Sequence, residues 1–293
     1  MFTRDGDNNR QDDFLTEVSV ISRLRHKNIV SHIGWSYNRG KPVLVYEYMP
    51  NGSPDQHLFR RSTSSSGNMQ PPAPICQWHT RYNIVKDVAT GLRYIHSEYE
   101  PMVLHRDIKA SNIMVDSSFH GRLGDFGLAC VVTDGRNSYT DPGVPGTHGY
   151  MAPEYWYTGK ATTNSDIFAF GVLVLEIVSG KRAICRNVQF VGHITDRVWH
   201  LHSEGKLLDA VDDVIPAEQL RPCSQNFSPM ETNSPLTLRM PKRLLLHGLA
   251  CSNPNPSDRP SMEEALQIVT KLASPPDTTT EQNFPMSFKP SRK

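Results

Sequence analysis

Apolar residues recur along the chain at two periods, and the change from one to the other outlines the fold. In segment 11–26, QDDFLTEVSVISRLRH, the residues Phe14, Val18, Ile21 and Leu24 share one helical stripe, and Asp12 or Asp13 can cap the start. Glu17 lies on that stripe. It is either an edge carboxylate reaching water or a carboxylate meant to pair with a cation across the core side, because an unpaired one there is costly. Two runs, HIGWSY at 32–37 and VLVYEYM at 43–49, read as strands joined by the turn-rich NRGKP. Segment 61–74, RSTSSSGNMQPPAP, is low in complexity and reads as a surface loop. Helical spacing returns at 78–98, with Ile84, Val88, Leu92 and Ile95 on one stripe, before the short strands IMV at 113–115 and RLG at 122–124.

Segment 128–151 is polar and rich in Gly, Pro, Ser and Thr, which predicts a long loop. Segment 167–178 is apolar nearly all round, as suits a helix buried in a lobe. Further helices are predicted over 190–204, 242–251 and 261–272, whereas 215–241 has little periodicity and the tail from Ser274 is Pro/Thr-rich and reads as disordered. Strands first and helices afterwards predict an α+β architecture, a small sheet lobe packed on a larger helical lobe.

Composition narrows the function classes. With 31 basic against 30 acidic residues, the charge balance gives no support to a nucleic-acid arm or a polybasic membrane anchor. The cysteines Cys76, Cys130, Cys185, Cys223 and Cys251 are scattered without a CxxC pair, so reduced thiols in a cytosolic setting are expected rather than a disulfide framework or a zinc site. The longest apolar run, 167–175, is too short to cross a bilayer, and the first residues hold no signal-peptide stretch, so a soluble chain is expected.

The chemistry is concentrated in 105–154. This segment holds His105-Arg106-Asp107-Ile108-Lys109-Ala110-Ser111-Asn112, then Asp125-Phe126-Gly127, then Ala152-Pro153-Glu154. In this order and spacing they resemble the catalytic loop, the metal-binding triplet and the end of the activation segment of protein kinases. The phrases ISRLRHKNIV, GWSY, LVYEYMPNGS, IKASNIMVD, RLGDFGLA, GVPGTHGYMAPE and ACSNPNPSDRPSM narrow the resemblance to plant receptor-like serine/threonine kinases, specifically the L-type lectin-domain group, over about residues 1–273.

Phosphoryl transfer from ATP asks for an acceptor hydroxyl aimed in line and for neutralised phosphate charge. The resemblance implies that Asp107 orients or accepts the substrate hydroxyl proton and that Lys109 offers charge to the phosphoryl group. Asn112 and Asp125 would supply oxygens to Mg2+, a hard cation that prefers such ligands. Thr147 would bond near Asp107 and Lys109, and Lys109 with GTHGY at 146–150 points to serine/threonine rather than tyrosine substrates. The backbone from Glu47 to Met49 would meet adenine, with Tyr46 as gatekeeper and Met114 below the ring. Asp166 would open the buried helix and Arg259 would pair with Glu154. Arg106 could bind a phosphate placed on the 128–151 loop, with Thr133, Ser138, Tyr139 and Thr140 as candidate acceptors. Ile21, His32, His105 and Phe126 would form a stacked spine, in which relatives often carry leucine at the position of His32. Proline at 54, another departure, is tolerated in a first helical turn.

The resemblance further implies three regions: 1–49 with the first helix, two strands and the hinge, 50–273 as the large lobe, and 274–293 as a tail. No GxGxxG is present, and the first lysine, Lys27, follows Glu17. A chain starting after the glycine-rich loop and the lysine strand is therefore expected, with an incomplete small lobe and weak or absent ATP binding by the chain alone. The expected function is transfer of the ATP γ-phosphate to protein hydroxyls. The alternatives are a non-catalytic interaction module and a truncated gene model. Full-length relatives imply a plasma-membrane receptor with its kinase on the cytosolic side, and a cytoplasmic setting for this chain.

Overall fold

The computed structural model describes residues 14, 18–38, 41–59, 75, 77–133, 136–187, 190–215 and 239–272. Glu17, all of the 61–74 segment, most of the 215–241 segment and the tail from 274 lie outside the described residues. Residues 14 and 18–21 are helical, and Phe14, Val18, Ile21 and Leu24 are all buried, as their spacing predicts. The helix nevertheless ends at 21 rather than 26. The amide of Arg23 bonds back only three residues, to the Val20 carbonyl, and this tighter turn closes the helix. Leu24 reaches the core from beyond its end.

Strands β1 (His32–Asn38) and β2 (Lys41–Tyr46) form an antiparallel hairpin with Trp35 opposite Leu44. Its second strand stops at Tyr46, three residues before the sequence pattern does, because the Glu47 amide bonds to the Ser31 carbonyl as the chain leaves the ladder. Ile33, Trp35, Val43 and Val45 remain exposed on this hairpin.

Helix α1 (Pro54–Leu58) carries proline in its first turn, where the missing N–H costs nothing. Helix α2 (Trp78–Arg93) buries the predicted stripe completely, then opens into a π-turn over Tyr94–Glu98, where the Tyr99 amide bonds to the Tyr94 carbonyl. The sequence predicted one uninterrupted helix here. The wider turn directs His96 inward, toward a carboxylate described below.

Four further two-stranded antiparallel sheets follow: β3 (Val103–Leu104) with β6 (Cys130–Val131), β4 (Ile113–Val115) with β5 (Gly121–Leu123), β7 (Tyr139–Thr140) with β8 (Lys160–Ala161), and β9 (Ile184–Asn187) with β10 (Phe190–His193). Segment 28–30 is sewn to β5 by the amides of Val30 and Leu123 and by the Asn28 side chain on the Gly121 carbonyl. Two expectations need correction. The 128–151 loop contains β6 and β7, because their partners lie elsewhere in the chain and leave no local period. The helix expected from 190 begins at 194: the first four residues pair as β10, and the His193 ring accepts from the Thr195 amide to start the next helix.

The remaining helices are α3 (Pro153–Thr158), α4 (Thr163–Ser179), α5 (Ile194–Ser203), α6 (Arg239–Cys251) and α7 (Met262–Leu272). A reciprocal Thr162–Ser165 capping box starts α4, and Gly180 at φ 63° ends it. Ser165 through Ser179 are all buried, and each apolar side chain fully removed from water contributes about 1.5–3 kcal/mol. α4 crosses α6 at Gly171, where a Cβ would stand 2.5 Å from the Ser252 amide nitrogen and 2.7 Å from the Gly248 carbonyl. Only glycine admits so close an approach. The result is an α+β fold with a helical body around α4 that fixes the loops between β3 and α3.

Candidate functional site

Between β3 and β4 the chain makes a tight loop closed by a 3-10 turn, Ala110–Asn112, which brings Asn112 back under Asp107. The Asn112 Nδ2 donates to both the carbonyl and the Oδ2 of Asp107, at 2.9 Å each. Lys109 Nζ donates to the same Oδ2 at 2.6 Å and to Thr147 Oγ1 at 2.9 Å. Thr147 Oγ1 in turn donates to Asp107 Oδ1 at 2.5 Å. Four sequence-predicted residues therefore converge, and Asp107 is held by three partners from both sides while only 8% exposed.

The frame behind them depends on Asp166, at the start of α4. Its carboxylate accepts from the amides of His105 and Arg106, each at 2.8 Å, and meets His96 Nε2 at 2.9 Å. Burial works against its charge, but the His96 ring and the loop amide outweigh it and hold the carboxyl below its ordinary range. His105 is fully buried, which lowers its ring pKa. Its Nδ1 receives the Asp107 amide and its Nε2 meets the Gly124 carbonyl at 3.0 Å, an arrangement that suits a neutral ring protonated at Nε2. Arg106 (φ 67°) and Asp125 (φ 56°) both adopt left-handed backbone, which costs a non-glycine residue about 1–3 kcal/mol and tends to persist at functional sites.

Asp125 follows Gly124, whose amide bonds to the Asn112 carbonyl at 2.9 Å and whose carbonyl meets His105. The Asp125 carboxylate is exposed, with one oxygen 3.4 Å from the Gly127 amide. Because the Asn112 Nδ2 is committed to Asp107, its amide oxygen faces the other way. Among the described residues no group of three or more His, Cys, Asp or Glu could hold a metal by itself. An amide oxygen and a carboxylate fit a hard dication that takes the rest of its shell from phosphate oxygens and water.

The expected nucleotide-base residues are less fully defined. Met114 is half-buried on β4, and its Cγ lies 3.5 Å from where a Gly124 Cβ would stand. Met49 is buried, and the Glu47 carboxylate pairs with Arg122 at 2.9 Å. The His105 and Phe126 rings meet at a tilt, 4.7 Å apart, in the core with Ile21, but His32 meets Tyr46 edge-on, with its Nε2 buried and without a hydrogen-bond partner among the described residues.

Residues 1–269 match the family described as Protein kinase domain. The chain belongs to the protein kinase family. By family it is a serine/threonine kinase, an enzyme class that uses ATP. Similar proteins of Arabidopsis thaliana include the probable L-type lectin-domain containing receptor kinase S.5, 40% identical over 276 residues covering 92% of this chain and 38% of that protein. The L-type lectin-domain containing receptor kinase IX.1 is 39% identical over 272 residues, 92% of this chain and 38% of its own length. The probable receptor kinase S.7 is 42% identical over 265 residues, 90% of this chain and 35% of its own. The kinase domain thus spans well under half the length of the curated relatives it matches. Among the described residues no helix is long and apolar enough to cross a membrane.

Two further residues singled out by the sequence have defined partners. Arg259 and Glu154 meet as a two-pronged pair, at 2.6 and 2.8 Å. Arg106 meets Asp141: its NH1 lies 3.0 Å from Asp141 Oδ2, with Tyr139 beneath the guanidinium at 5.0 Å. Thr133, Tyr139 and Thr140 are exposed and Ser138 is half-buried. Sequence reasoning weighed the hydroxyls of this loop and passed over Asp141 and His96. The available signal was an acidic residue in the loop that Arg106 was expected to bind.

Proposed function

We propose that this chain is the catalytic part of a receptor-like serine/threonine kinase and transfers the ATP γ-phosphate to protein hydroxyls. The observation that carries the reading is the Asp107 carboxylate held by Lys109, Asn112 and Thr147. In this reading Asp107 receives or orients the proton of the acceptor hydroxyl, and Lys109 neutralises charge on the phosphoryl group. Thr147 holds the loop against Asp107. Asn112 and Asp125 would hold Mg2+, which would supply charge neutralisation at the phosphates. The segment from Glu47 to Met49 and Met114 contact adenine. The division into a small-lobe region at 1–49 with the first helix, two strands and the hinge, a large lobe at 50–273 and a tail at 274–293 follows from the same reading, as do a cytosolic setting and protein substrates.

A second reading, a non-catalytic module that presents its surface to another protein, is favoured by the exposed Ile33, Trp35, Val43 and Val45 on the hairpin. Transfer from Mg-ATP to a basic protein acceptor separates the two. The kinase reading expects phosphoserine or phosphothreonine formed by the chain at millimolar ATP, reduced about 10²–10⁴-fold in Asp107→Asn. No transfer by the unaltered chain, or transfer indifferent to Asp107→Asn, selects the second reading.

A further inference from the structure

We propose that Asp141 is a positioning residue for the catalytic loop: its carboxylate holds Arg106, and through it the backbone entering Asp107, so that segment 139–144 docks without any modification. The consequence for catalysis rests on the kinase reading; the docking itself does not.

Arg106 is a buried cation, its side chain 7% exposed, beside an acid that is 8% exposed. A guanidinium so enclosed needs a partner, because a buried charge left alone is strongly unfavourable. The 128–151 segment supplies one: NH1 reaches Asp141 Oδ2, and Nε donates to the Leu128 carbonyl at 2.5 Å. The Tyr139 ring covers the guanidinium face. The Arg106 amide is meanwhile fixed to Asp166, so the side chain and the strained backbone of one residue are tied to two different acids.

Asp141 is anchored in turn. Its Oδ1 accepts from the Gly143 amide at 2.9 Å, its amide donates to the Gly159 carbonyl at 3.0 Å, and its carbonyl accepts from the Val144 amide at 3.1 Å. Gly159 has φ 66°, and a Cβ there would stand 3.0 Å from the Asp141 carbonyl oxygen, so the turn after α3 is shaped to receive this residue. β7 then pairs with β8 immediately beyond that turn. A phosphate on Thr140 or Tyr139 would bring a second anion beside Asp141 and repel it. The carboxylate already does what such a phosphate would do.

The test uses the full chain, treated with phosphatase and shown by mass to carry no phosphate. Amide hydrogen exchange is read at Asp141, Gly143 and Val144, with α4 as the control for global stability. The unmodified chain is expected to protect these amides. Asp141→Asn, which removes only the charge, is expected to speed their exchange at least tenfold with α4 unchanged, and Asp141→Glu to recover part of the protection. Unaltered exchange in Asp141→Asn overturns the proposal, as does protection that arises only after phosphorylation within 138–140. In the transfer assay Asp141→Asn is expected to lower kcat at least tenfold while leaving the KM for ATP unchanged, with partial recovery in Asp141→Glu. An unaltered chain that transfers nothing counts against the kinase reading, and the exchange measurement still decides on Asp141.

Discussion

Arg259 and Glu154, 105 residues apart, meet fork to fork: NH1 to Oε1 at 2.6 Å and NH2 to Oε2 at 2.8 Å. The arginine side chain is wholly buried, and it also donates to the carbonyls of Asn253 and Asn164. The pair ties the start of α3 to the turn before α7 and so supports the loop that carries Thr147. Removing the acid alone leaves a guanidinium without its anion in the interior. Glu154→Ala is therefore expected to destabilise the fold by about 3–5 kcal/mol, measured by urea unfolding, and Glu154→Gln by less because one acceptor remains. A loss below about 1 kcal/mol for Glu154→Ala would mean that the carbonyls alone satisfy Arg259.

Stability should depend on pH through two buried groups with opposite signs. Burial pushes Glu176 up to about 7, although the Tyr150 hydroxyl and the Ala183 amide bond its oxygens at 2.6 Å each. The folded state then holds a proton that the unfolded chain releases near 4.5, so this group's contribution is complete below pH 4.5 and lost as pH rises to 7. Burial lowers His247 to about 4 against 6.5 unfolded, so its contribution is complete above 6.5 and lost as pH falls to 4. Between pH 4.5 and 6.5 the two slopes oppose each other. Glu176→Gln should unmask the histidine slope, with melting temperature rising from pH 4.5 to 6.5 more steeply than in the unaltered chain. Parallel melting curves in the two proteins would refute this opposition.

These outcomes separate what local pattern encodes from what only the folded chain assembles. Asp107, Lys109, Asn112 and Thr147 were legible because the short loop and a fixed motif bring them together, and the stripe through Ile84, Val88, Leu92 and Ile95 was legible because burial on one helix face imposes its period. Asp141 was not. Its partner lies 35 residues back, and the 128–151 segment that carries Asp141 has no period to read. β7 was invisible for the same reason, since Tyr139 and Thr140 become a strand only by lying beside Ala161 and Lys160. The extent of the helix around 194 was misjudged because its cap is the His193 ring rather than one of the usual small polar residues.

His32 offers a last test, because it combines a polar ring with an apolar site. Its Nε2 is buried and has no hydrogen-bond partner among the described residues, and its ring stands edge-on to Tyr46 at 5.8 Å. A buried unsatisfied polar atom costs about 1–3 kcal/mol, more than the ring's contact with one tyrosine returns. His32→Leu removes that atom while filling a similar volume. The variant is expected to unfold at a higher urea concentration, by about 1 kcal/mol in stability, with an unchanged urea dependence because the surface exposed on unfolding stays the same. A destabilised variant would mean that the imidazole finds water or a partner in solution and that the polar side chain is part of how the hairpin sits on the first helix.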